Sequence, residues 1–308
     1  MRPSRFSYDS TDGTVLQAYK WEAANPRAVL QIAHGAIEHA LRYADFAGAL
    51  VKAGFTVYAA DHRGHGATAG TPLQVAYFSD KDGGFMLAVK DIALLINRIQ
   101  EEKKGLPVFI FGHSMGSSLV RVLAAHDGKA LAGVILTGTG RISAPLAALV
   151  RFLARCIMAV FGRRHVSPLL HSIVFDTLNR PFKGETGSEF ISSNETVVKA
   201  YADDPFCGNT GTAEFIYELL GGTRKASKKQ TICGFPKNIP LFIGAGEFDS
   251  IGGKNLKGLK NDVAALCKAG VHDITLKVYP GMRHEILNEK QKQHVYDDII
   301  EWLNGHIA

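Results

Sequence analysis

Cysteine is scarce in this chain. Four residues, Cys156, Cys207, Cys233 and Cys267, are scattered in sequence and none forms a C-x-x-C pair. That excludes a disulfide framework and a cysteine-rich zinc module. The expectation is reduced, buried thiols in a cytoplasmic protein. The opening MRPSRFSYDSTDG lacks an apolar core segment, so a secretory leader is not expected. The longest apolar-rich stretch, 146–161, is interrupted by Arg151 and Arg155, too short and too charged to read as a membrane span. No repeat or low-complexity tract is present. No H-E-x-x-H pattern or comparable ligand cluster appears, which disfavours a metal hydrolase, and no metal or cofactor is expected. Zinc-finger, RNP and basic-helix patterns are missing too. The net charge of +6 favours approach to anionic surfaces without naming nucleic acid as a partner.

What is present is alternation. Apolar runs at 28–34, 55–61, 107–112, 131–138, 239–246 and 274–280 read as buried strands. Helical patterns at 44–54, 85–105, 118–126, 256–270 and 290–306 fall between and after them. This order predicts an α/β fold: a mostly parallel sheet with crossover helices on both faces. The segments around Asp12-Gly13 read as a hairpin added at its edge. The alternation breaks after Gly140. The stretch 141–236 is irregular and rich in Arg, Lys and Gly, with one apolar helical segment. The division is therefore core 1–140, insert 141–236 and core 237–308, with the insert after the sixth strand.

One strand runs straight into Gly112-His113-Ser114-Met115-Gly116, with a helix behind it. This is G-x-S-x-G in the setting that lifts a serine hydroxyl above a sheet edge. The same turn aims the Met115 N–H at that spot, at a helix N-terminus that favours negative charge. A serine hydroxyl needs a base, and the base needs an orienting acid. His284 follows the last strand and Asp249 the one before it, both at the carboxyl edge where ligand sites form. Glu247 is the nearest rival acid, read as a solvated loop carboxylate. Asp273 lies at a strand start on the wrong edge, and Asp203 and Asp204 fall in the insert. The second oxyanion donor is expected from the loop His34-Gly35-Ala36, with the Ala36 N–H as candidate because Gly35 permits close approach. His34, His39, His62, His65 and His113 are read as structural.

Together HGAIEHALRYADFAGALVKAGFTVYAADHRGHG (34–66), GHSMGS (112–117), GEFDSIGGKNLKGL (246–259) and YPGMRHEILNE (279–289) resemble the α/β-hydrolase superfamily. Within it they are most similar to the branch of monoacylglycerol lipases and lysophospholipases, also labelled serine aminopeptidase-like. The resemblance implies the α/β-hydrolase fold with a helical cap after the sixth strand, nucleophile Ser114, acid Asp249, base His284, and oxyanion donors Ala36 and Met115. It implies that the 61–66 loop is structural. Asp249 is followed by Ser250 where the family often has proline.

The implied activity is cofactor-independent serine ester hydrolysis through an acyl-enzyme. A small-molecule ester such as a monoacylglycerol or lysophospholipid is the leading substrate. A peptidase, an acyltransferase and a catalytically silent binding protein stay open. In 145–165 the arginines are four apart and share one side. The preferred reading is a lid helix packed on the core and lining an acyl pocket. The alternative is an interfacial helix in transient contact with a membrane surface, which would make the protein peripheral to membranes. The cluster 224–229 is expected to be a solvated loop.

Overall fold

A computed structural model describes residues 1–307. Eight strands form one sheet: β1 (Ser4–Asp9), β2 (Val15–Trp21), β3 (Ala28–Ala33), β4 (Phe55–Ala60), β5 (Val108–His113), β6 (Gly133–Thr137), β7 (Leu241–Gly246) and β8 (Ile274–Tyr279). Their order is β1-β2-β4-β3-β5-β6-β7-β8. The pairs β1–β2 and β2–β4 are antiparallel, and every other pairing is parallel. The expected α/β-hydrolase sheet with an edge hairpin is thus the observed one.

The principal helices are α1 (Ala44–Lys52), α2 (Gly84–Glu102), α3 (Met115–Asp127), α4 (Ala144–Phe161), α5 (Glu195–Asp203), α6 (Ala213–Ala226), α7 (Lys257–Lys268) and α8 (Lys292–Gly305). The central strands are buried on both faces, which explains their continuous apolar runs. Residue alternation then splits β5 between two layers. Phe109 and Phe111 join the layer of Phe46 on α1 and Trp302 on α8. Ile110 joins the layer of Phe85 and Ile92 on α2.

The 141–236 segment is not irregular. Besides α4 it holds α5, α6 and several single helical turns. Gly221-Gly222 hides α6 from a propensity reading, yet Gly222 is needed there: a Cβ would lie 2.1 Å from the Phe85 ring of α2. Asn194 and Thr212 cap α5 and α6 through their side chains. Two α6 carboxylates hold this segment to the core. Glu218 accepts the N–H groups of Gly83 and Phe85 at 2.9 and 3.1 Å, and Glu214 accepts that of Phe78 at 2.9 Å. Glu218 thereby supplies α2 with the N-terminal cap that glycine lacks.

Two further expectations change. Cys207 is buried, but Cys156, Cys233 and Cys267 are exposed and free, because their helices turn those positions outward. The 224–229 cluster is no simple loop: Arg224–Ala226 closes α6, and the Lys229–Gly234 helix follows, with Ala226 buried.

The Asp61–Gly66 loop is a bonded unit. Arg63 donates to Asp91 at 2.7 Å and Asp12 at 2.9 Å, and Asp61 accepts from Ala40 and Ala67 N–H groups at 2.8 Å. Three buried histidines pack beside it. The His34 Nε2 accepts the His62 N–H at 2.9 Å, and the His34 and His62 rings lie 4.1 Å apart. Burial and mutual repulsion hold His34 well below its ordinary value. Burial, with repulsion from His65, pushes His62 down to about 3, and burial pushes His65 down to about 4. An unfolded chain would protonate all three near pH 6.5, so it binds more protons than the native state below that pH. Stability is therefore expected to fall as pH drops from 6.5 toward 4. Melting temperatures measured from pH 7 to 4 should decline steeply, and the slope should be shallower in His62→Gln, whose amide does not titrate. Equal slopes would contradict the cluster's role.

Candidate active site

Ser114 joins β5 to α3 with φ 53° and ψ −115°, a conformation that costs a residue with a Cβ about 1–3 kcal/mol. The surroundings enforce it. The Ser114 N–H donates to the Thr137 carbonyl on β6 at 2.9 Å, and its own carbonyl accepts the Ser117 N–H at 3.0 Å. The flanking Gly116 is required by close packing: a Cβ there would lie 2.1 Å from the Ala33 carbonyl oxygen at the end of β3. The elbow is wedged between β3 and β6.

The loop after β3 touches the elbow. A Cβ on Gly35 would lie 3.3 Å from Ser114 Cβ. Among the described residues, the N–H groups of Ala36 and Met115 have no hydrogen-bond partner. Both belong to residues lining the cavity that holds Ser114. Two free donors beside one hydroxyl can bind an oxyanion.

Asp249 lies after β7 and His284 after β8. His284 Nδ1 and Asp249 Oδ1 are 2.9 Å apart, and both residues are buried. The same Asp249 oxygen accepts the Ile251 N–H at 2.9 Å. Burial alone would lower the His284 value. The Asp249 charge and hydrogen bond outweigh it, with Glu285 and Glu38 adding, so the imidazole is held above its ordinary value. Nδ1 is thus engaged, which leaves Nε2 for proton transfer. Ser114 and His284 line the same cleft, and no hydrogen bond joins the hydroxyl to the imidazole in this structure.

The rival acids are placed elsewhere. Glu247 is exposed and accepts the Gly281 N–H at 2.9 Å. Asp273 meets His306 at 3.2 Å, Asp204 meets His39 at 2.9 Å, and Asp203 faces Lys199 at 3.5 Å. His113 packs 4.6 Å from the His284 ring and bonds Thr137 Oγ1 at 3.0 Å; burial, then His284, keeps it well below its ordinary value. His39, Asp204 and Cys207 bring possible metal-ligand atoms within 4.8 Å of one another, a grouping that the absence of a sequence motif does not reveal.

Two cavities meet at Ser114. One, of about 60 Å³, has a mixed lining, in which Glu38, Tyr201, His284 and Glu285 stand beside Ile37, Phe190 and Ile191. The other, of about 170 Å³, is apolar and lined by Ile142, Val174, Phe175, Leu178 and Leu219. All five come from the segment after β6, where the run Ile173–Phe175 was the overlooked signal. Glu38, Arg42 and Glu285 were also missed; they stand next to motif residues in HGAIEHALRY and RHEILNE.

α4 packs on the core as the lid reading expects, but none of its residues lines either cavity at Ser114. Ala147, Val150 and Ala154 are buried in a stripe against α6, with Leu153, Ile157 and Met158 partly buried beside them. Arg151 and Arg155 do share a side, stacking on Tyr217 of α6 at 4.2 and 5.4 Å. Leu149, Phe152, Val160 and Phe161 are 57–73% exposed. The apolar surface is too broad for the narrow α6 contact. By length and composition alone α4 could cross a membrane, although its small-residue stripe is committed to α6.

The family model described as "Serine aminopeptidase, S33" matches residues 24–291. A monoacylglycerol lipase from Mycolicibacterium smegmatis is 28% identical over 290 residues, covering 92% of this chain and 90% of the relative. The monoglyceride lipase of Homo sapiens is 27% identical over 305 residues, covering 97% and 90%. The solved structure of a thermostable carboxyl esterase from Bacillus coagulans, in complex with glycerol, superposes with a TM-score of 0.91 at 30% identity, over 100% of both chains. With this fold and this coverage, the chain belongs to the serine aminopeptidase S33 family of α/β-hydrolases, on the branch of the monoacylglycerol lipases, and is a serine hydrolase.

Proposed function

We propose that the chain hydrolyses single-chain acyl esters, such as monoacylglycerols or lysophospholipids, through Ser114, His284 and Asp249. His284 Nε2 takes the Ser114 proton as Oγ attacks the acyl carbonyl. The Ala36 and Met115 N–H groups bind the oxyanion. The protonated imidazole then gives its proton to the leaving alcohol, and an acyl-enzyme remains. Water, deprotonated by His284, releases the acid. Asp249 keeps the imidazole oriented and stabilises its cation.

The observation that carries the substrate class is the meeting at Ser114 of an apolar cavity and a smaller one of mixed lining, which holds the polar groups Glu38, Tyr201 and Glu285. An ester spanning them puts its alcohol among polar groups and its acyl chain among aliphatic ones. At about 170 Å³ the acyl cavity compares with an engineered apolar cavity of about 150 Å³ that holds benzene. Short to medium chains are therefore expected to turn over fastest. A panel of p-nitrophenyl esters of rising length plus monoacylglycerol, run beside aminoacyl p-nitroanilides, tests this. Amide turnover without ester turnover would select a peptidase instead.

The α4 surface supports the membrane-contact reading. Its Leu149 and Phe152 are exposed on one side and Phe161 at its C-terminal end, near Arg163 and Arg164, which pair with Asp82 and Asp80; exposed apolar side chains of this kind suit a lipid surface. Wild-type protein should co-sediment with anionic vesicles, and a Leu149→Asp, Phe152→Asp double variant should not. Hydrolysis of soluble p-nitrophenyl butyrate should be unchanged. Equal sedimentation of the two proteins would sink the idea.

A further inference from the structure

Arg42 lies in the short helical turn Ala40–Tyr43, and its side chain is only 11% exposed. Its guanidinium reaches three separate parts of the molecule. Nη1 donates to Glu38 Oε2 at 2.6 Å. Nη1 and Nη2 donate in parallel to the two oxygens of Glu285, each at 2.6 Å. The Tyr201 ring of α5 lies 4.7 Å away across its face.

Each partner acts on a group used in the reaction proposed above. The other oxygen of Glu38 accepts the Gly35 N–H at 2.5 Å and the Tyr43 hydroxyl at 2.8 Å. That pins the residue before Ala36. On the far side Ile37 has φ 53°, and its carbonyl accepts the Tyr201 hydroxyl at 3.0 Å and the Gly208 N–H at 3.1 Å. Ala36 is thus held from both sides, by Glu38 and by the cap. Glu285 directly follows His284, and the two backbone N–H groups donate to Ile191 and Phe190 carbonyls at 2.7 and 3.2 Å.

We propose that Arg42 is a positioning residue: its fork fixes the loop presenting the Ala36 N–H, the loop presenting His284 and cap helix α5 in one register. The proposal rests on the roles given above to Ala36 and His284. Glu38 and Glu285 are both buried, so they lose hydration and repel one another. The guanidinium between them offsets both losses. Its planar fork is what matches two carboxylates at once; a lysine keeps the charge but not the geometry.

A purely structural ion pair would alter stability and leave the kcat of the folded protein alone. Steady-state kinetics with p-nitrophenyl butyrate from pH 5 to 9, well below each variant's melting temperature, separate the two. Arg42→Lys is expected to lower kcat roughly 10- to 100-fold while KM stays within about threefold, as for a displaced oxyanion donor. Glu285→Gln tests the other arm and carries the test alone if Arg42→Lys does not fold. The charged or titratable groups facing His284 are Asp249, His113, Glu285 and Glu38, with Arg42 behind the carboxylates. Removing the Glu285 charge lowers the imidazole's affinity for a proton, so the acid limb of kcat/KM should move to lower pH by about half a unit or more. Wild-type kcat and an unmoved acid limb in these variants, beside an inactive Ser114→Ala control, would overturn the positioning role alone. Turnover retained in Ser114→Ala would overturn the underlying assignment, and the proposal with it.

Discussion

Replacing Ser114 with alanine is expected to lower kcat for ester hydrolysis by roughly 10⁵- to 10⁶-fold and to leave the fold intact. The loss follows from the role: no other group is placed to form the acyl-enzyme, and the remaining donors stabilise only direct attack by water, which leaves a small residue of catalysis. The fold survives because the Ser114 backbone, not its hydroxyl, makes the bonds that hold the elbow to Thr137 and Ser117. The same backbone separates function from stability. At φ 53° and ψ −115° a Cβ is strained, so Ser114→Gly should be as inactive as Ser114→Ala but about 1 kcal/mol more stable than wild type. Thermal unfolding of the three proteins, measured beside their kcat values, checks both halves.

Asp249→Asn is expected to lower kcat by about 10³- to 10⁴-fold. The amide is nearly the same size, so packing should hold. What changes is the imidazole. The Asp249 carboxylate accepts from Nδ1 at 2.9 Å. An asparagine can donate to Nδ1 instead, which moves the imidazole proton to Nε2 and closes the route by which the serine proton leaves. The charge is lost as well. Burial already opposes a cationic His284, and Asp249 is its strongest counterweight. Without it the His284 pKa falls, so residual kcat/KM should keep its plateau to lower pH than in wild type. A wild-type kcat, or an acid limb displaced upward, would contradict the acid assigned here.

The parts of this molecule that were readable in sequence share a physical cause. Central strands buried on both faces leave nearly continuous apolar runs, as in β3, interrupted only by Gln31, and β5. A strained turn wedged between two strands leaves Gly112 and Gly116 around Ser114. Loops at the carboxyl ends of strands follow those runs at short distance, which made Asp249 and His284 visible as candidates. What escaped reading depends on contacts between distant segments. The Gly221-Gly222 pair conceals a helix that exists because Phe85 packs against it. The exposed face of α4 cannot be told from a buried one by composition, since only the narrow extent of α6 decides how much of it is covered. The Glu38–Arg42–Glu285 cluster joins residues 243 positions apart and has no spacing rule to betray it.

The most direct test is covalent. The protein is treated with a fluorophosphonate, digested, and the modified residue mapped by mass spectrometry, with His284→Ala treated in parallel. One adduct on Ser114, formed at a rate that collapses in His284→Ala, is the expected result. An adduct on another residue, or equal labelling rates in the two proteins, would contradict it.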